Sequence, residues 1–316
     1  MKDLPAFEEQ IDGDLKEGVL IGIDWGTTNV RAVVLASDGR VLAYRRADSK
    51  IAGQKQQNFE SRFDHLTKDW PKLPVVAAGM IGSRQGWKEA PYIACPATTE
   101  DLARSLLTFD YNDRPVAIVP GVKLERPGQY DVMRGEETQL AGFLLEQPNE
   151  TGTVVLPGTH SKWARIKDGT ILDFRTYMTG ELFDIISNRS ILSHSLRKQN
   201  VPDEAFRERA ERLARSVESI SGQLFRLRAA DLLSDADKGE LWEELSALLI
   251  VGELKSAAKD GFEEQSNTIL IGASQLTDFY DAAFRAFGQK TTRIKGTSLV
   301  WPALMEIARQ TGMIAR

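Results

Sequence analysis

Two stretches of this chain put hydroxyls, an amide and backbone N–H groups on a glycine corner. In residues 21–35 an apolar run ends in Asp24, the corner carries Gly26, Thr27, Thr28 and Asn29, and a second apolar run follows with Val30, Ala32 and Val34 alternating. That pattern reads as strand, turn, strand. Gly26 lets the backbone turn sharply and approach a ligand closely, and the donors at the tip suit a phosphate. The stretch lacks the Gly-Lys-Ser/Thr ending of a P-loop and the three-glycine spacing of a dinucleotide fingerprint, both of which run from a strand into a helix. For this segment alone, an ordinary buried hairpin with a Gly-Thr turn is the alternative.

Residues 153–166 repeat the arrangement, with Gly158, Thr159, His160 and Ser161 at the corner, and an Asp168-Gly169 turn and a third strand over 171–174 follow. Laying Gly26-Thr27 on Gly158-Thr159 and Asp38-Gly39 on Asp168-Gly169 requires shifts of 132 and 130 residues. Such similar offsets indicate an internal duplication, and two polar tips could hold a polyphosphate between them. Asp24 is not repeated, because Leu156 takes its place. One acid for the pair suits an asymmetric ligand with one divalent cation, such as magnesium-ATP, since magnesium is commonly held by few protein carboxylates and by substrate phosphates.

Three further groups could do chemistry. Glu136 and Glu137 follow Gly135 in the first turn of a helix that carries Leu140, Phe143 and Leu144 on one face. The helix dipole there keeps a carboxylate ionised and able to accept a proton or hold a cation, although first-turn acids are also common without such a role. Ser83, Arg84, Gln85 and Trp87 lie in a glycine-punctuated loop, 79–87, after a short buried strand at 74–78. Such loops often carry sites, and a connector whose Trp87 plugs the core fits equally well. Gly272 and Ala273 break a strand at 268–271 into a helix whose inner face carries Leu276, Phe279, Tyr280, Ala283, Phe284 and Phe287, with Gly288 ending it. An adenine could lie flat on that junction, and helix packing alone would also account for the glycine.

The elements that must position these groups alternate between strand and helix. Residues 41–44 complete a meander with the first hairpin, and 58–70 look helical. Thr98 and Asp101 resemble a capping box opening a helix through Leu107, and 115–119 is another buried strand. Amphipathic helices over 202–217 and about 238–259 read as scaffold, and a strand at 294–299 and a helix at 302–308 close the chain. The 316 residues, 42% hydrophobic and 27% charged, suffice for two domains. A net charge of -5 with no basic run interleaved with aromatics argues against nucleic acid. One cysteine, Cys95, and three histidines exclude an internal disulfide and disfavour structural zinc, so a reducing cytoplasm fits. Residues 1–18 are polar and acidic, neither a secretory signal nor a transit peptide, and are expected as a flexible or capping lead-in. No window reaches the roughly 20 apolar residues of a membrane span, the nearest being 245–251.

The order of first hairpin, carboxylate helix, second hairpin and adenosine junction resembles the sugar kinases of the actin, Hsp70 and hexokinase superfamily, over nearly the whole chain. Within it, Asp-Trp-Gly-Thr-Thr-Asn at 24–29, Gly-Met-Ile-Gly-Ser-Arg-Gln-Gly-Trp at 79–87, Met-Arg-Gly-Glu-Glu-Thr-Gln at 133–139 and Leu-Pro-Gly-Thr-His-Ser-Lys-Trp at 156–163 are similar to the 2-dehydro-3-deoxygalactonokinase family. The resemblance implies an α/β, two-domain actin-like ATPase (ribonuclease H-like) fold with a duplicated mixed β-sheet core and an interdomain ATP cleft. Residues 19–150 would carry the phosphate-1 hairpin and sugar-acid pocket, and 151–316 the phosphate-2 hairpin and adenosine site.

The activity so implied is ATP-dependent phosphorylation of the C6 hydroxyl of 2-dehydro-3-deoxy-D-galactonate, a step of galactonate catabolism. Asp24 would hold Mg2+ through water, the tips at 26–29 and 158–161 would bind phosphates, and Gly272 and Ala273 would take the adenosine. Phosphoryl transfer is mostly positioning and charge stabilisation, and it needs one carboxylate near the attacking hydroxyl. Related carbohydrate kinases supply that base from a Gly-Asp pair ahead of the second hairpin. Gly135-Glu136 matches it with Glu for Asp, so Glu136 is the expected base and Glu137 stays open. His160 is either a phosphate contact or a hydrogen-bonded loop residue. Arg84 is the expected partner of the substrate carboxylate, with Ser83, Gln85 and Trp87 lining the sugar pocket and Arg31 and Arg134 competing. The partners implied are a small-molecule sugar acid and, as an assembly to test, a homodimer, with no nucleic acid and no membrane. A nucleotide-switching actin-like regulatory protein and a polyphosphate-type phosphatase are the alternatives.

Overall fold

Residues 7–49, 56–202, 204–262 and 268–315 are described by a computed structural model. They divide into unit 1, formed by Met1–Glu150, Lys167–Asp173 and Thr297–Arg316, and unit 2, formed by Thr151–Ile166 and Phe174–Gly296.

In unit 1 the described residues of the expected flexible or capping lead-in include a strand. β1 (Glu8–Ile11) pairs antiparallel with β4, which spans Val41–Asp48, and Glu9 accepts a hydrogen bond at 2.7 Å from the buried Arg45. An open sheet edge offers a polar segment backbone partners that composition alone does not reveal. β2 (Gly18–Trp25) and β3 (Asn29–Ala36) form the first hairpin, with Asp24 opposite Arg31, and β4 completes the meander. After α1 (Gln56–Leu66), the apolar strand β5 (Val75–Gly79) lies parallel to β2. β6 (Tyr92–Ala94) and β7 (Ala97–Thr98) lead to α2 (Thr99–Arg104), which opens with the expected Thr98–Asp101 capping box. The helix stops at Arg104, because Leu107 begins β8 (Leu107–Asp110), antiparallel to β9 (Pro115–Ile118). β10 (Gly121–Arg126) and β11 (Gln129–Met133) join β6 in a small separate sheet, and α3 (Glu136–Glu146) follows Gly135.

The second hairpin is β12 (Thr151–Leu156) and β13 (Ser161–Lys167), followed by β14 (Thr170–Tyr177). Their short links suffice only for antiparallel neighbours. The turn at Lys167–Asp173 belongs to unit 1, since Thr170 and Ile171 pair with Thr98 and Ala97 of β7. In unit 2, α4 (Thr179–Arg189) and α5 (Glu204–Arg215) precede α6 (Ile220–Leu233), a helix not foreseen, whose Ser219 caps Gly222 N. α7 (Lys238–Lys259) has the expected bounds. β15 (Thr268–Gly272), α8 (Ser274–Ala286) and β16 (Thr291–Lys295) follow, with β15 parallel to both β12 and β16.

The last strand ends at Lys295, and α9 (Gly296–Gln310) takes up Ser298 and Leu299, with Pro302 inside the helix. Leu299, Val300, Ala303, Leu304, Ile307 and Ala308 are buried at helical spacing, and that packing outweighs the lost proline hydrogen bond. α9 belongs to unit 1, where Leu304 and Trp301 cover Gly22 of β2 and Leu299 backs onto Gly142 of α3. β2 is therefore apolar on both faces, with all six residues from 20 to 25 buried.

The main sheets share one plan. Unit 1 orders its strands β4-β3-β2-β5-β9 and unit 2 orders its strands β14-β13-β12-β15-β16, in each case third, second, first, fourth, fifth. A meander and two parallel strands, made twice, constitute the actin-like ATPase arrangement that the resemblance implied, and the similarity read from two short hairpins extends to five strands of each sheet.

Candidate functional site

The antiparallel register of β2 and β3 puts Asp24 and Arg31 side by side, and Arg31 Nη1 donates to Asp24 Oδ2 at 2.9 Å. Gly26 N–H donates to Asn29 O at 2.8 Å and closes the turn. Ser49 anchors the tip, its hydroxyl donating to Thr27 O at 2.5 Å and its N–H to Thr28 O at 2.8 Å, while Arg46 holds Asn29 Oδ1. These anchoring bonds end on the two carbonyls, so anchoring consumes no donor of the exposed Thr27 and Thr28. Burial pushes the Asp24 carboxyl up, Arg31 pulls it back and Glu136 adds to the rise, so the carboxylates of Asp24 and Glu136 lie within each other's field.

Two glycines bring Glu136 there. Gly79 ends β5 with φ +87°, and a Cβ on it would lie 2.6 Å from Trp25 O. Gly135 has φ +109°, and a Cβ on it would lie 3.5 Å from Gly79 Cα. A positive φ is accessible to glycine at little cost, so the chain turns into α3 directly against the end of β5. Glu136 is half-buried and accepts from Arg134 N–H at 3.2 Å. Glu137 is fully buried, accepting from Gly135 N–H at 2.6 Å and from the Thr138 hydroxyl at 3.0 Å. Burial and the neighbouring Glu136 push the Glu137 carboxyl up to about 7.

The arginines differ sharply. Arg134 is buried, its guanidinium lies 4.3 Å over the Tyr92 ring, and it donates to the carbonyls of Ala90 and Pro91 and to the Tyr92 hydroxyl. Arg84 is 82% exposed, 3.5 Å from Glu89, and Gln85 is exposed beside it. Ser83 is buried and its hydroxyl has no partner among the described residues. Trp87 is 2% exposed and packs on Phe63, Phe109 and Tyr111. Its ring is thus a core plug, donating to Glu60 at 3.4 Å, because three aromatic neighbours bury it more completely than a loop edge would.

In unit 2 the corner at Gly158, Thr159 and His160 is held by α4, where Glu181 N–H donates to Thr159 O at 2.9 Å and the Glu181 carboxylate meets His160 Nε2 at 2.5 Å. A Cβ on Gly180 would come within 2.2 Å of Gly158 O, so α4 begins in backbone contact with the corner. Thr159 and His160 are exposed, whereas Ser161 is fully buried and its hydroxyl lies 2.8 Å from Tyr280 OH. The side chain of Ser161 faces the core, leaving the exposed corner to the three residues before it.

Gly272 ends β15 and Ala273 caps α8 without a side-chain bond. Immediately beyond them a cavity of about 180 Å³ opens, with Gln275 and Leu276 of α8, Trp242 of α7 and Phe183 of α4 in its lining, and it reaches Gly158 and Gly180. This apolar slot, with the amides of Gln199 and Gln275 in its lining, runs up to the second corner. The sequence did not single out Phe183, Trp242 or Gln275, and α7 read as scaffold; a legible sign was the bulky Trp242 among its polar neighbours.

Residues 24–307 match the family described as 2-keto-3-deoxy-galactonokinase. The chain is 35% identical over 290 residues to the 2-dehydro-3-deoxygalactonokinase of Escherichia coli K12, covering 91% of this chain and 97% of that protein. It is 34% identical over 298 residues to a protein of Rhizobium meliloti 1021 that carries the same enzyme name, covering 92% and 97%. A crystal structure from Sinorhizobium meliloti bearing that name too superposes with a TM-score of 0.85 at 32% identity, over 94% of this chain and 98% of the other. Two similar sheets with Gly-Thr corners, a carboxylate helix in the field of Asp24 and these matches along nearly the whole length lead to one assignment: the chain belongs to the 2-keto-3-deoxy-galactonokinase family.

Proposed function

We propose that this protein transfers the γ-phosphoryl group of ATP to the C6 hydroxyl of 2-dehydro-3-deoxy-D-galactonate, giving 2-dehydro-3-deoxy-6-phospho-D-galactonate and ADP. The observation that carries the reading is the proximity of two unlike carboxylates at the end of β2: Asp24, tied to Arg31 at 2.9 Å, and the half-buried Glu136 in its field. Glu136 accepts the C6 hydroxyl proton as the new O–P bond forms and the bond to the β–γ bridging oxygen breaks, the pair of electrons leaving with ADP. Glu137 is already engaged with Gly135 and Thr138, which suits it less for contact with substrate.

Asp24 fits a magnesium ion held chiefly by phosphate and water: the tip has this one carboxylate, and no cluster of three metal-binding side chains occurs among the described residues. Bound there, magnesium would neutralise charge on the β and γ phosphates. The phosphates are assigned to the tip at Gly26, Thr27, Thr28 and Asn29 and to the corner at Gly158, Thr159 and His160. The adenine is assigned to the slot beyond Gly272 and Ala273. Of the three arginines considered for the sugar-acid carboxylate, Arg31 is paired with Asp24 and Arg134 is buried against Ala90, Pro91 and Tyr92 with its Nη1 unpartnered among the described residues, whereas Arg84 is exposed with Glu89 at 3.5 Å. Arg84 is therefore the most accessible of the three to a substrate carboxylate, with Gln85 beside it. No helix among the described residues is long and apolar enough to cross a membrane, and the unpaired Cys95 suits a cytoplasmic enzyme.

Coupled ADP-release assays over a small panel of sugar acids, with phosphorus NMR of the product, test the reading. ADP release that requires both magnesium and 2-dehydro-3-deoxy-D-galactonate, with loss of transfer in Asp24→Asn, is expected. Hydrolysis of ATP at one rate with and without any acceptor would overturn it in favour of a nucleotide switch or phosphatase.

A further inference from the structure

One carboxylate in unit 2 lies outside the chemistry described so far. Glu253, on α7, is 3% exposed and receives hydrogen bonds from two other elements. Trp163 Nε1 of β13 donates to its Oε1 at 2.7 Å, and the Tyr280 hydroxyl of α8 donates to its Oε2 at 2.7 Å. The hydroxyls of Thr179, at the start of α4, and Ser161, at the start of β13, favour its charged form. Ser161 Oγ stands 2.8 Å from Tyr280 OH, so the two hydroxyls and the carboxylate form a continuous chain.

The partners are the parts that frame the second corner. Ser161 follows His160 directly, Thr179 precedes the Gly180 that abuts Gly158 O, and Thr179 and Tyr280 both line the 180 Å³ slot. Both donors to Glu253 are neutral. Burial pushes the Glu253 carboxyl up while the Trp163, Tyr280, Thr179 and Ser161 groups pull it down. The indole N–H can never accept, so an apolar side chain at 253 would leave it buried without a partner. A partly satisfied buried network is worse than an apolar one, so the group holds its surroundings in one arrangement.

We propose that Glu253 is a positioning residue for nucleotide binding, fixing the second Gly-Thr corner against the slot by tying β13 and α8 to α7. The inference rests on the nucleotide reading of that slot. Glu253→Leu, which leaves the Trp163 indole N–H without an acceptor, is expected to weaken ATP binding about tenfold, the effect of one mispaired buried donor, and to raise the KM for ATP with the KM for the sugar acid unchanged. Tyr280→Phe, which removes a link without a clash, should shift both in the same direction by a smaller factor. Titration calorimetry with a non-hydrolysable ATP analogue reads the effect directly. Leu213→Ala, in the same core on α5, which carries no partner of Glu253, controls for loss of stability alone. If either network variant binds nucleotide as the wild type does, or no worse than the control, the inference falls. If the wild-type protein itself fails to bind the analogue, the nucleotide reading falls first.

Discussion

Glu136 and Glu137 are neighbours in sequence with opposite surroundings. Helix geometry turns the first toward Asp24 and the second into the core, where it accepts from Gly135 N–H and the Thr138 hydroxyl. Glu136→Gln is expected to abolish turnover with ATP binding kept, while Glu137→Gln retains most of it. The buried group also gives a pH signature. Its carboxyl holds a proton to about 7 in the fold against 4.5 unfolded. The native state therefore binds more protons in that window, and this group's stabilisation is lost as pH rises from about 4.5 through 7. Melting curves should accordingly show Glu137→Gln gaining on the wild type as pH rises from 4.5 to about 7. A constant difference across that range would exclude the linkage.

At the scale of elements, helices set the corners that strands present. β12 and β13 deliver Gly158 and Thr159, and α4 meets them backbone to backbone at Gly180. Gly180→Ala would place a methyl 2.2 Å from Gly158 O and 2.8 Å from Thr159 Cα, neither of which can swing away as a side chain would. The expected result is a raised KM for ATP, an unchanged KM for the sugar acid and a loss of about 1–3 kcal/mol of stability on denaturant titration. An unchanged KM for ATP would show that the corner tolerates displacement. Elements were legible where periodicity was strong, as in α7, whose bounds match the reading. They were not where burial overrode local preference: α9 runs through Pro302, and α2 stops short of Leu107 because β9 offers that residue a strand partner.

At the scale of the whole molecule, the chain returns at its C-terminal end to the unit in which it began. α9 buries Leu299, Val300, Ala303, Leu304, Met305, Ile307 and Ala308. At about 1.5–3 kcal/mol for each large side chain, its loss exceeds much of the roughly 5–15 kcal/mol by which a domain is stable. Ending the chain at Gly296 should therefore leave unit 1 unable to fold, read as loss of its cooperative melting transition and of soluble yield. A truncated protein that still melts cooperatively with the full-length heat uptake would refute this. The same return explains why a single cut near residue 150 does not separate the units: Lys167–Asp173 and the last turns of the chain both pack with the first.

The sequence by itself determined the two Gly-Thr corners, the single acid at Asp24, the glycine ahead of the glutamate pair and the family, because these are local patterns of residue type and spacing. Tertiary structure alone decided which way side chains face. It sent Ser161 to Tyr280 and Trp87 into the core, committed Arg134 to carbonyls, left Arg84 in solvent, and made a slot from Phe183, Trp242 and Gln275, which are far apart in the chain. Each outcome depends on what burial offers a group from a distant segment: a partner, an aromatic cage or nothing. Spacing along one strand or helix carries no record of that.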